Sequence, residues 1–439
     1  HGQPPGLGMS GGSLVADLAG LAWRNVWRNR RRTTLNVIAL SVGMGILVLA
    51  LGWIGGYHTY IYETMRDFQT GEMQVMHADW YAERSRLPTD LLVADSSGVR
   101  NALLDLPELR DAAVTGRVLF SARLSTGSRS WRSMVTAIDP AHEPAVGVLG
   151  DYVSSGRSPA ELAASGERGL WIGADVAETA GVAVGDTLFL RAVNRHGVEN
   201  LYDAAVAGIF SYGYPALDDG MVYLDLDTAT ELLDLDGGVT HVVLRLEGGD
   251  AAVPAAMEEA ARLLGAAGPD ADARALEIRP WEDFARAAVS AVEQDTGSFM
   301  IMIGIMYLLI VLGILNSMSM SVHERTREIG TVRAIGMRAR SLQGMFALES
   351  LWQALIAAAV ALLLTAPLAW WLAGTGVDIA SSVPDSVPIP FGERFRADFA
   401  VRHYLFTLAS GLLTALAGAI LPARRAARIS VADAMRRVG

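Results

Sequence analysis

The 439-residue chain contains no cysteine. Disulfides and thiolate metal sites are therefore excluded, and cysteine usage says nothing about redox compartment. Lysine is missing too, so every one of the 36 positions counted as Lys or Arg is arginine. That excludes a Walker A site, whose lysine reaches the β- and γ-phosphates, and it excludes Schiff-base chemistry. Charge is sparse, at 19% of residues against 51% hydrophobic. This balance is oily for a soluble chain of such length and points to the membrane. His58, His77, His142, His196, His241, His323 and His403 show no HExxH or i, i+4 pairing, so no histidine metal site is expected. The acidic run "DLDTATELLDLDGG" at 225–238 lacks the D-x-D-x-D-G spacing of a calcium loop, and no G-x-S-x-G occurs. Neither catalysis nor a cofactor is expected in this chain.

What the sequence does hold is apolar length. Residues 34–56, 298–322, 347–377 and 403–423 are each long enough to cross a bilayer, which takes about 20 residues. Trp53, Tyr57, Trp370, Trp371 and Tyr404 sit near their ends as belt aromatics do. Arginines fix the expected orientation. Arg24, Arg28, Arg30, Arg31 and Arg32 outweigh Asp17 before the first span, and five arginines outweigh Glu324 and Glu328 after the second. Five more outweigh Asp433 in the tail, so these three segments are assigned to the cytoplasm. Residues 57–297 carry thirty-eight acids against eighteen arginines, a net of −20, and are placed across the membrane with the loop 378–402. The first span reads as an uncleaved signal anchor, since its apolar run is long and no small-x-small cleavage site follows. Its Ser41, Gly45, Gly52 and Gly56 form two small-xxx-small pairs suited to close helix packing. Residues 1–12 read as tag or disordered, and 13–33 as an amphipathic helix with Leu14, Leu18, Leu21, Trp23 and Val26 on one face.

Between the first two spans, alternating runs such as "EMQVMHA", "AAVTGRVLFSARLS", "DTLFLRAV" and "THVVLRLE" read as strands. Helical patterns such as "VRNALLDL" and "VPAAMEEAARLLGAAG" intervene. The expectation is an α-helical membrane protein with four transmembrane helices and a large α+β extracytoplasmic domain, 57–297, that ends in a helical stalk.

Residues 323–346 interrupt the apolar sequence with a charged segment expected as one helix. Ile329, Val332, Ile335, Leu342 and Met345 or Phe346 recur near helical spacing, while Arg325 and Glu328 can pair at i, i+3. The stretch "NSMSMSVHERTREIGTVRAIGMRARSLQGMFALES" resembles the signature of the FtsX/MacB/LolC-LolE family of ABC transporter permeases, and "LPARRAARISVADAMR", in the tail 424–439, resembles that family's ending. "AGVAVGDTLFL" and "MVYLDLDTATELL" resemble its MacB-like periplasmic core domain.

The resemblance implies a non-catalytic permease subunit of a type VII system in the bacterial inner membrane, with both termini cytoplasmic. It pairs with a second copy or a paralogous permease. Two cytoplasmic ATPase subunits, which bind the ATP and Mg, grip the helix between spans two and three and transmit motion to the periplasmic domain. Glu324, Arg325, Glu328, Ile329, Gly330, Arg333, Ala334 and Gly336 match the coupling motif. The absence of a fused ATPase and the size of the periplasmic domain fit a layout like LolC or LolE, hence extraction or export of lipoprotein or lipid. The alternatives are an efflux permease with an adaptor and outer-membrane channel, or an FtsX-like activator of a cell-wall hydrolase. Partners implied are membrane lipids and a periplasmic chaperone, adaptor or lipoprotein, with no nucleic acid. For lipid extraction, Leu49, Trp53, Phe299 and Ile303 are expected to line a lateral gate.

Overall fold

The computed structural model describes residues 11–28, 30–212, 218, 220–247, 249, 252–266, 276–377 and 395–428. Sequence expectations for residues 1–10, the loop 378–394 and the tail 429–439 lie outside the described residues. The chain divides into a helical unit and a sheet unit, the latter built mainly from residues 60–291.

Helix α1 (Gly11–Arg28) stops short of the boundary expected at 33, and α2 (Arg30–Met65) begins there instead. Arginine is a good helix former, so the "RRR" run opens the long helix rather than closing the short one. The buried stripe of α1 is Leu18, Ala22 and Val26, at i, i+4, i+8, while Leu21 and Trp23 are exposed. The apolar face expected from the sequence is thus split between two sides of the helix.

The sheet unit contains β1 (Met73–His77), β2 (Ala113–Ser125), β3 (Ser130–Ile138), β4 (Val153–Gly156), β5 (Leu170–Gly173), β6 (Thr187–Val193), β7 (Glu199–Phe210), β8 (Met221–Asp225), β9 (His241–Arg245) and β10 (Leu276–Pro280). Their order is β10-β1-β9-β2-β3-β8-β5-β7-β4, with β6 pairing β2 and β7. Only β3–β8 and β5–β7 are parallel. Around the sheet lie α3 (Ser96–Leu104), α4 (Glu143–Val146), α5 (Pro159–Ser165), α6 (Ala174–Ala180), α7 (Leu226–Leu233), α8 (Val253–Ala266) and α9 (Trp281–Phe284).

Local chemistry sets these ends. Ser158 and Glu161 form a capping box at α5, with Pro159 at its first turn and Gly166 left-handed at its end. Asp225 accepts from the Thr228 N–H and starts α7, so the acidic run at 225–238 is a capped helix and turn. Val118, Phe120, Val135, Leu170, Ile172, Leu188 and Leu224 belong to one core, and burying each such side chain contributes about 1.5–3 kcal/mol. A bidentate pair, Arg117 on β2 with Glu143 on α4, is 2% and 3% exposed. Arg117 also donates to the Gln69 carbonyl at 2.7 Å, in the π turn (Arg66–Thr70) that follows α2.

The helical unit is completed by α10 (Arg286–Glu324), α11 (Thr326–Ala334), α12 (Ala339–Thr375) and α13 (Val401–Arg428). Among the described residues, α2, α10, α12 and α13 are the four helices long and apolar enough to cross a membrane. The single helix expected at 323–346 is instead the end of α10, the nine-residue α11 and the first turns of α12. The break has a cause: Gly336 sits at φ +107°, a conformation open to glycine and strained for other residues.

Small residues bring the helices together. The Ser41 hydroxyl donates to the Ala357 carbonyl at 3.1 Å, and a Cβ at Gly45 would lie 3.3 Å from Thr365. A Cβ at Gly52 would strike the Phe399 ring, and one at Gly56 the backbone of Arg396 and Ala397. Ser41 and Gly45 thus face α12, whereas Gly52 and Gly56 face the non-helical segment 396–399 before α13.

Candidate coupling site

Helix α11 is held from three sides. Its Ile329 is buried in a cluster with Val322, Leu342, Phe346, Ala423 and Ala426, drawn from α10, α12 and α13. Arg333 donates to the Ala427 carbonyl at 2.9 Å and so satisfies one of the carbonyls left open at the end of α13. Gly330, next to Ile329, is buried as well. The motif arginine Arg325 stands at the N-cap position and gathers a network. It donates to the Asn25 side-chain oxygen at 2.6 Å and to Glu328 at 3.3 Å, and lies 3.6 Å from the buried Glu349 carboxylate of α12. Glu328 also pairs with Arg28 of α1. The Arg28 hydrogen bond, with Arg325 behind it, holds the Glu328 carboxyl below its usual range.

Beneath this network lies a cavity of about 180 Å³, lined by Leu21, Ile329, Val332, Met337, Leu342 and Phe346 among others. Two residues of the expected apolar stripe do not join the core: Val332 is exposed and Ile335 is 82% exposed, at the corner between α11 and α12. Ile335 stands at the helix break itself, and Val332 lies on α11 at the rim of the cavity. Glu324, Ala334 and Gly336 are exposed as well.

The lateral-gate residues are distributed differently. Ile303 is buried against Leu47 and Leu51 in the seam between α10 and α2, with Leu49 and Phe299 half-buried nearby in sequence. Trp53 is partly exposed and stacks at 4.3 Å on Phe395. Sequence reasoning missed Asn25, Arg28 and Glu349. Only Glu349 carried a signal, as an acid at the head of an apolar run. Among the described residues there is no group of three His, Asp or Glu able to hold a metal.

Four membrane-crossing helices, with an α/β domain between the first and second and a short braced helix between the second and third, define a transporter permease. The MacB-like periplasmic core domain model matches residues 33–263, more than half of the chain, and the FtsX-like permease C-terminal model matches 300–431. The chain therefore belongs to the family of FtsX-like permeases that carry a MacB-like periplasmic core domain, the permease component of ABC transporters whose ATPase is a separate subunit. It is an inner-membrane protein with a periplasmic domain. Family members work with cytoplasmic ABC ATPases and often form dimers.

Similar over 417 residues, at 21% identity, are the lipoprotein-releasing system transmembrane proteins LolC of two Xylella fastidiosa strains, with 91% of this chain and 92% of theirs covered. Among solved structures, the extracellular domain of the noncanonic ABC-type transporter YknZ from Gram-positive bacteria aligns at 17% identity and a TM-score of 0.33, covering 48% of this chain and 100% of that one. A permease domain from Porphyromonas gingivalis aligns at 13% and 0.27, covering 49% and 88%.

Proposed function

We propose that the chain couples ATP hydrolysis by two separate cytoplasmic ATPase subunits to movement of its periplasmic domain, and that the moved cargo is a lipoprotein or lipid of the inner membrane. The observation that carries the coupling reading is the exposed Ile335 on a braced corner. An isoleucine held out of the core by its own turn, on a segment whose Arg327, Val332 and Arg338 are exposed too, has the form of an interface anchor. Force applied there reaches α1, α10, α12 and α13 through Arg325, Arg333 and Ile329, because those side chains contact all four. The cargo reading is supported by similarity to LolC along nine-tenths of the chain. On this reading Glu324, Arg325, Glu328 and Arg333 brace or contact the ATPase, Ala334 and Gly336 shape the corner, and a second permease completes the assembly.

Ile335→Asp tests the coupling. Membrane insertion should be retained while co-purification with the cognate ATPase falls at least tenfold. Undiminished ATPase capture and transport would sink the reading. Orientation is tested on the native cysteine-free background. Ser128→Cys and Ser154→Cys should react with an impermeant thiol reagent in cells whose outer barrier is opened, and Ser341→Cys only after the inner membrane is breached.

A further inference from the structure

Strand register places three arginines in one row. Arg132 on β3 lies opposite Arg123 on β2, and Arg123 lies opposite Arg191 on β6. Directly opposed residues project from the same face of a sheet, and like charges so placed destabilise the pairing. All three are exposed. Arg191 has Glu199 at 3.9 Å, whereas Arg123 and Arg132 form no ion pair among the described residues. The sheet therefore keeps a repulsion between Arg123 and Arg132 that no ion pair to either arginine relieves among the described residues.

Arg132 also lines a cleft of about 440 Å³, together with Arg86 and Arg195. Those two are oriented by carboxylates, Arg86 by Glu83 and Asp90, and Arg195 by Asp236. Leu87 in the cleft wall has φ +49°, a strained conformation for leucine of the kind that clusters at ligand sites. Joined through Arg132, the row and the cleft bring together five arginines, of which Arg86, Arg191 and Arg195 are paired with acids, in a segment, 57–297, that carries thirty-eight acids against eighteen arginines. Such a concentration runs against the local composition.

We infer that this arginine row and cleft form a binding site on the periplasmic domain for a phosphate-bearing anion. Strands lie about 4.8 Å apart, so neighbouring guanidinium forks can share phosphate oxygens, and their planar donors match phosphate bidentately. A doubly charged anion relieves the Arg123–Arg132 repulsion. Exposed Met134 and Phe189 border the row on the same face, so the phosphate can belong either to a bare anion or to the head group of an amphiphile. This site is independent of the coupling reading.

Calorimetric titration of the full chain in neutral detergent tests it, with inorganic pyrophosphate as one probe and dihexanoyl phosphatidic acid as the other. Saturable binding that weakens as salt rises is expected, with an affinity loss of at least tenfold in the Arg123→Ala, Arg132→Ala double variant and none in Arg110→Ala. Tighter binding of the phosphatidic acid identifies a lipid head group, and equal binding identifies the phosphate alone. The double variant should melt no lower than the parent, which separates lost binding from lost fold. Absence of binding by both probes, an equal loss in Arg110→Ala, or binding of polyglutamate in their place overturns the assignment.

Discussion

The core of the sheet unit and the middle of α12 in the helical unit are packed with different kinds of residue. The sheet unit fully buries Trp171, Tyr223, Phe120, Phe210 and Met73, and the helical unit buries Phe346, Met44 and Leu47 as completely. In α12 the buried face beyond Leu342 and Phe346 reads Glu349, Ser350, Gln353, Ala354, Ala357, Ala361, Thr365 and Ala369, while Leu355, Leu362, Leu363, Leu364, Leu368 and Trp370 are exposed. Water rewards the burial of large apolar groups; lipid gives no such reward, so close approach and interhelical hydrogen bonds decide instead. The Asn36–Gln353 bond at 3.1 Å and the Ser41–Ala357 bond belong to that second regime.

The contrast can be broken most severely in the sheet unit. Glu143→Ala leaves the Arg117 guanidinium charged and buried without its partner, a loss of about 3–5 kcal/mol. Thermal melting of the periplasmic domain within the full chain should show it, and a change under 1 kcal/mol would mean that the pair is solvated.

Acid should act next. Burial, with Arg117 nearby, lowers the His241 imidazole to about 3. His241 is therefore neutral in the fold but protonates in the unfolded chain below about pH 6.5, so stability falls as pH drops from 6.5 toward 3. By pH 5 the loss is about 2 kcal/mol, and His241→Asn should flatten that part of the profile.

In the helical unit the usual rule about size should invert. Ala357→Leu enlarges a fully buried position and should cost about 1–3 kcal/mol, whereas Leu363→Ala, on an exposed face, should cost less than about 0.5 kcal/mol in detergent. Equal losses would place Leu363 in an interface rather than against lipid. A similarly small stability effect is expected at Arg28→Ala, since an exposed pair contributes at most about 1 kcal/mol. On the coupling reading its consequence should be measured as a reduced ratio of transport to ATP hydrolysis.

Much of this was legible in local sequence. Four apolar runs, the separation of arginines from acids, and the alternation in 113–125 and 187–193 are one-dimensional properties, because span length and strand period are set by neighbours along the chain. The shortest strands were not legible. β5, "LWIG", is buried on both faces and carries no alternation, and β4 has only four residues. The coupling motif announced itself by its residues, yet Ile335 was read onto one apolar stripe with Ile329 and Leu342, since periodicity assumes an unbroken helix and Gly336 breaks it. The bond from Arg325 to Asn25 joins positions 300 residues apart, and no local pattern contains that juxtaposition. The arginine row depended on register as well: a slip of one residue between β2 and β3 would have sent Arg132 to the other face. Sequence by itself determined the solvent of each segment and the family signature, both of which are sums over neighbouring residues. Only the tertiary structure decided which charges meet, because that depends on how distant segments are brought into contact.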